Sequence, residues 1–200
     1  MVVRHDHQVR SPRLAKEQIL AKTDSGEQTR NLAAAVAALV TPGDVIVLAG
    51  DLGAGKTTFA KGFGAALGVI EAITSPTFVL RHAYSCVKSG LLGPDGRAAT
   101  LVHVDAYRLD NLAEGFDLDL GASLDDGAIV LVEWGDAIMP LLGQDHLGIR
   151  IEYGMGDMER LLELTTSGEA WQDRRLMLEV QLSRWAPRAG VASYDNGGAS

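Results

Sequence analysis

An apolar run, Val45-Ile46-Val47-Leu48-Ala49, leads straight into Gly50-Asp51-Leu52-Gly53-Ala54-Gly55-Lys56-Thr57-Thr58, and a helical pattern follows. Gly-x-x-x-x-Gly-Lys-Thr between a strand and a helix is the context in which this motif acts as a P-loop. Each part has a physical role. Glycines let the backbone wrap closely around phosphate oxygens. The helix N-terminus offers free N–H groups and the positive end of the dipole. Lys56 can reach the β- and γ-phosphates, and the Thr57 hydroxyl can ligate magnesium. Asp51, Gly53, Ala54, Gly55, Lys56, Thr57 and Thr58 are therefore the expected nucleotide-binding residues, for a nucleoside triphosphate with Mg2+.

The motif sets the fold class. Strand–loop–helix units build parallel sheets with helices on the faces. The expectation is an α/β P-loop NTPase-like core of three layers, with a mixed, mainly parallel central sheet. Hairpins at 78–104 and 149–165 should add antiparallel edges. The ligand should sit at the carboxyl ends of the parallel strands.

The chain has 200 residues, enough for one domain with tails. Residues 1–16 read as a flexible lead, 17–186 as the domain and 187–200, rich in Gly, Ser and Ala, as a disordered tail. His5-Asp6-His7 lies in the lead and reads as a solvated tail rather than a metal site. Formal net charge is −8, which argues against a protein that grips nucleic acid alone. The one cysteine, Cys86, excludes an internal disulfide and is compatible with a reducing cytoplasm, the expected location. The charged start lacks the apolar core of a signal peptide. No apolar run reaches the ~20 residues needed to cross a bilayer, so no membrane partner is expected.

Ser25 followed by Gln28 is a capping-box pattern, with helix through Leu32, Ala35, Val36 and Leu39. Thr57 to Leu67 reads as helix. Gly62 and Gly64 weaken it, and close packing on the sheet is the expected return. Thr100 to Val104 reads as a strand ending at Asp105, and Ala128 to Val132 as a buried central strand ended by Glu133. Trp171 to Trp185 reads as an amphipathic C-terminal helix. The acidic residues between 114 and 126 read as a solvated face.

A P-loop needs acidic strand ends to complete its site. Glu133 is Walker-B-like and would hold magnesium beside the P-loop strand. Asp105 would orient water or hold the metal's water shell, a catalytic role shared with Lys56. His103 shares a strand face with Asp105 and reads either as its partner or as a structural histidine. Thr74-Ser75-Pro76-Thr77 occupies the place of a γ-phosphate-sensing switch, and its hydroxyls suit phosphate or metal water. Trp134 reads as a cover for the nucleotide, a partner contact or core packing.

These pieces in this order resemble the TsaE (YjeE-like) family of small bacterial ATPases. The resemblance spans roughly residues 17–166 and rests on the P-loop, Ser75-Pro76-Thr77-Phe78, His103-Val104-Asp105-Ala106-Tyr107-Arg108-Leu109 and Val132-Glu133-Trp134. It implies a role in making N6-threonylcarbamoyladenosine beside the anticodon of tRNAs that read codons starting with A. The implied partners are TsaB and TsaD, with tRNA met through the complex. TsaD transfers the threonylcarbamoyl group, and the ATPase, weak alone, supports turnover. By matching position, with ATP and Mg2+ as the implied cofactors, Thr57 and Glu133 would hold magnesium, Lys56 would bind phosphate, Asp105 would support hydrolysis and Trp134 would lie near the active site or the partner surface. An adenine contact would fall near Ser25 to Thr29. The sequence departs from the family in a longer segment between Tyr84 and Thr100, in Gly135-Asp136 after Trp134, and in a long tail.

Two other readings stay open on the residues. A small-molecule kinase would need a lid with arginines, and Arg81, Arg97 and Arg108 are the arginines between the P-loop and residue 149. A GTP switch would need a guanine-reading Asn/Thr-Lys-x-Asp after the P-loop. The near match, Ala21-Lys22-Thr23-Asp24, precedes it.

Overall fold

Leucine and isoleucine on one face, valine on the other: this division along the central strands makes two cores. The computed structural model describes residues 18–75, 80–87, 90–107, 118–135, 138 and 142–187. Strand β2 (Val45–Ala49), β4 (Thr100–Asp105) and β5 (Ile129–Glu133) carry the division. Ile46, Leu48, Leu101, Ile129 and Leu131 point to one side, and Val45, Val47, Val102, Val104, Val130 and Val132 to the other. Strands apolar on both faces must be covered on both.

The first side is covered by α1 (Gly26–Ala37), α2 (Lys56–Ala66) and α4 (Glu169–Leu182), through Leu32, Phe59, Phe63 and Trp171. The second is covered by Leu118, Leu120, Ile138 and Leu142, of which Leu120 opens the short α3 (Leu120–Asp125). Helix α1 starts where its sequence places it. The Ser25 side chain accepts from Gln28 N–H at 3.1 Å. The Gln28 amide reaches back one residue further than in a capping box, accepting from Asp24 N–H at 3.1 Å.

The remaining strands are β1 (Ile19–Thr23), β3 (Arg81–Ser85), β6 (His146–Tyr153) and β7 (Arg160–Ser167). All seven form one sheet in the order β1-β7-β6-β2-β5-β4-β3. The central four, β6, β2, β5 and β4, are parallel. Antiparallel pairings lie outside them, β3 on β4 at one edge and β6–β7–β1 at the other. The mixed sheet with a parallel centre is thus as expected. Both hairpins occur, and the second is longer than the sequence pattern suggested, because His146, Leu147 and Thr166 continue the ladder.

One expectation needs correction. Gly62 does not serve packing on the sheet. A Cβ there would lie 2.5 Å from Arg30 Cα, so this glycine lets α2 meet the backbone of α1. Gly64 faces the sheet side, against Ile73 and Leu101. Helix α4 runs on into a 3-10 turn, Ser183–Trp185, with Trp185 buried. The lead, residues 188–200, Pro76 to Phe78, and Arg108 and Leu109 lie outside the described residues. Among the described residues, no helix is long and apolar enough to cross a membrane.

Candidate functional site

Three parallel strands deliver their last residues to one place. β2 ends in the glycine-rich loop, β4 in Asp105 and β5 in Glu133. Register sets Asp105 opposite Glu133 and Leu48 opposite Glu133, so the loop-bearing strand and both carboxylates share one edge. The cleft between them is lined by Gly53, Gly55, Lys56, Thr57, Thr58, Ser75, Asp105, Tyr107, Glu133 and Trp134, with Leu52 at its rim.

The loop makes a basic, donor-rich wall. Gly55 caps α2 at φ +111°, a conformation that glycine alone adopts without strain. The first ladder bond near the helix start is Phe59 N–H to Gly55 O, so the amides of Lys56, Thr57 and Thr58 lie ahead of the ladder. Ala54 is fully buried, and its own N–H turns back to Asp51 O at 3.1 Å. Lys56 donates from Nζ to Gly50 O at 2.7 Å and Asp51 O at 2.9 Å. Burial pushes the Lys56 ammonium below its ordinary value, and Glu133, Asp105 and Asp51 pull it part of the way back.

The opposite wall is acidic. Glu133 is 2% exposed. Thr57 Oγ1 stands 3.2 Å from each of its oxygens. His103, fully buried on the neighbouring strand, holds Oε1 through Nε2 at 3.0 Å. The carboxylate accepts, so the Nε2–H tautomer is the one assigned by this contact. Nδ1 of His103 has no partner among the described residues, so the ring's one polar commitment is to Glu133. His103 is thus a partner of the metal-site candidate rather than of Asp105.

Asp105 is also buried and is oriented twice. Ser75 Oγ donates to Oδ2 at 2.9 Å, and Tyr107 N–H donates to Oδ1 at 3.0 Å. Ser75, singled out as part of a switch-like segment, thereby reaches the site through Asp105. Trp134 takes φ +60°, uncommon for a bulky residue, and its ring turns over Lys56 Nζ at 3.6 Å from the centroid. Tyr107 packs on it with centroids 5.1 Å apart.

Ser25 and Thr29 are not brought into this cleft. Ser25 is spent as the cap of α1, and the Thr29 hydroxyl is buried against Thr23 Oγ1 at 2.8 Å. The neighbouring Gly26 does approach the site, since a Cβ there would lie 3.6 Å from Thr58 Cγ2. Tyr153 and Arg160, which sequence reasoning missed, bond to the glycine-rich loop from the β6–β7 hairpin. No local pattern announces them, because their partners lie about a hundred residues away.

The family model "Threonylcarbamoyl adenosine biosynthesis protein TsaE" matches residues 23–161. The tRNA threonylcarbamoyladenosine biosynthesis protein TsaE of Streptomyces coelicolor is 44% identical over 146 residues, covering 71% of this chain and 93% of that one. The protein of the same name from Bacillus subtilis is 38% identical over 168 residues, covering 84% and 96%. The crystal structure of Bacillus subtilis YdiB superposes with a TM-score of 0.63 at 36% identity, over 84% of this chain and 95% of the other. With a matching family model over most of its length and relatives aligned over more than nine-tenths of theirs, this chain belongs to the TsaE family of tRNA threonylcarbamoyladenosine biosynthesis proteins.

Proposed function

We propose that this TsaE-family chain binds and hydrolyses ATP with Mg2+, and that it acts with TsaB and TsaD in forming threonylcarbamoyladenosine on tRNA. The observation that carries the reading is the meeting of Thr57 Oγ1 with both oxygens of Glu133, at the head of α2 and beside Lys56. Hydroxyl and carboxylate oxygens are the donors a small hard cation prefers. A buried carboxylate facing a helix N-terminus and an ammonium group is a set built for a phosphate–metal pair. Bound Mg–ATP would supply a γ-phosphoryl group open to attack by water.

The chain's own residues divide the remaining work. Lys56 and the amides of Gly53 and of Gly55 to Thr58 hold phosphate oxygens. Glu133, steadied by His103, and Thr57 hold the metal. Asp105 keeps its carboxylate aimed by Ser75 and the Tyr107 amide, ready to accept a hydrogen bond from a water in the cleft. Trp134 covers the ammonium of Lys56. Among the described residues no arginine lines the cleft, and Arg81 is engaged with Ser123 at 2.9 Å.

ATP hydrolysis by the purified protein, alone and with TsaB and TsaD, tests the proposal. Weak activity that rises with the pair and disappears in Glu133→Ala is the expected result. ATP binding without any response to the pair would reject the partner role and keep the nucleotide site.

A further inference from the structure

Residues 52–54 of the glycine-rich loop belong to no strand or helix, so no ladder fixes the direction of their carbonyls. Two side chains from the β6–β7 hairpin do so instead. Tyr153 donates its hydroxyl to Leu52 O at 2.8 Å. Arg160 donates Nε–H to Ala54 O at 2.8 Å. The two residues are cross-strand partners, and the Arg160 guanidinium stacks on the Tyr153 ring with Cζ 4.5 Å from its centroid. Arg160 Nη1 is held in turn by the carbonyls of Asp157 and Glu159, at 3.0 and 2.7 Å. Its fork therefore has one orientation. Gly53 sits against this pair, since a Cβ there would lie 2.7 Å from the Tyr153 hydroxyl.

In a trans peptide the carbonyl and the following N–H point in opposite directions. Drawing Leu52 O and Ala54 O toward the hairpin turns the N–H groups of Gly53 and Gly55 the other way, into the cleft that both residues line. The carbonyls of Gly50 and Asp51 are taken by Lys56. Together these bonds turn the Leu52 and Ala54 carbonyls out and the Gly50 and Asp51 carbonyls to the lysine, with the Gly53 and Gly55 amides left facing in; the Ala54 amide closes back on Asp51 O. We propose that Tyr153 and Arg160 are positioning residues that preset the Gly53 and Gly55 amides as phosphate donors. The proposal rests on the nucleotide reading above. Its physical content is preorganisation. A loop with free peptide planes must be ordered by its ligand, and that ordering weakens binding.

The test is titration of the full-length protein with Mg–ATP by calorimetry, for wild type, Tyr153→Phe, Arg160→Ala and Arg160→Lys. Tyr153→Phe keeps the stacked ring and loses only the donor, so it should fold. The expected losses in ATP affinity are about five-fold for Tyr153→Phe and about ten-fold or more for Arg160→Ala. Arg160→Lys should match Arg160→Ala, because charge without the stacked fork does not aim the carbonyl. In hydrolysis assays KM should rise with kcat within about two-fold of wild type, the sign of an interaction equal in ground and transition states. In 15N-glycine spectra of the free protein, the Gly53 and Gly55 amides should shift in the variants. Wild-type affinity in Tyr153→Phe and Arg160→Ala would overturn the brace and leave the nucleotide reading standing. Wild-type affinity in Arg160→Lys alone would overturn the orienting role in favour of simple charge attraction. Failure of the wild-type protein to bind ATP would overturn the nucleotide reading first, and the brace with it.

Discussion

At Glu133 a single carboxylate faces three donors of different kinds. It takes the Nε2–H of His103, stands against the Thr57 hydroxyl through both oxygens, and helps keep the Lys56 ammonium charged. Asp105 has the same register height but different company, Ser75 and a backbone amide. That difference assigns different roles and gives separable outcomes. Glu133→Gln should weaken Mg2+ affinity, raising the metal concentration for half-maximal hydrolysis by about ten-fold or more, because a neutral amide is a poorer ligand for a hard cation. A magnesium titration of the ATPase reads this directly. Asp105→Asn should keep ATP binding while slowing hydrolysis by about a hundred-fold, the usual scale for losing a positioned base. Calorimetry beside a turnover assay separates the two, and lost binding would move Asp105 to the metal-holding group. Cys86 gives a third outcome at this scale. Burial pushes its thiol up to about 11. The unfolded thiol ionises near 9.0, so between there and about 11 the folded state holds the extra proton and stability falls as pH rises. Below about pH 9 this contribution is complete. Thiol reagents at pH 8 should therefore label Cys86 only as fast as the protein opens. Rapid labelling under native conditions would contradict the burial.

At the scale of elements, the contact between α1 and α2 turns on one missing side chain. Gly62→Ala would drive a Cβ to 2.5 Å from Arg30 Cα, and backbone cannot step aside. The expected cost is about 2 kcal/mol, within the range for overpacking. Gly64→Ala meets only the end of the Ile73 side chain and the Leu101 methyl, so it should cost less. Equal melting temperatures for the two variants would reject this account. The comparison also shows what a sequence discloses. β2 and β5 were legible because they are continuous apolar runs, and α1 because Ser25 and Gln28 mark its start. The glycine-rich loop and the two acidic strand ends were legible because each closes such a run. The partner of Gly62 was not, since a glycine announces close approach without saying to what. Tyr153 and Arg160 were hidden for a related reason. Each is an ordinary hairpin residue until the fold brings a loop a hundred positions earlier against it. His103 was visible as a strand-face residue, yet the choice between Asp105 and Glu133 as its partner depends on the neighbouring strand's register.

The whole molecule separates chemistry from anchorage along the length of β2. The carboxyl end carries the glycine-rich loop and meets Glu133 and Asp105. Just before its amino end lies Asp44, 7% exposed, in a bidentate pair with Arg174 of α4, whose Nη2 stands 2.7 Å from Oδ1. Arg174 also donates to Leu39 O at 3.0 Å and stacks over the Trp171 ring at 4.0 Å. One guanidinium thus ties α4 to the end of α1 and the start of the central strand. Removing it leaves the Asp44 carboxylate buried, though Thr41 N–H still donates to it at 2.6 Å. Arg174→Ala should then cost about 3 kcal/mol, the low end for breaking a buried pair, and lower Tm by roughly 6–12 °C. Arg174→Ala with Asp44→Ala should cost less than the sum of the single changes, because the second removes the stranded charge. ATP affinity below the melting transition should stay at the wild-type value, since no residue of this anchor lines the cleft. A fall in affinity in the well-folded Arg174→Ala protein would mean that the two ends of β2 are coupled, and that the site depends on the C-terminal helix for more than stability.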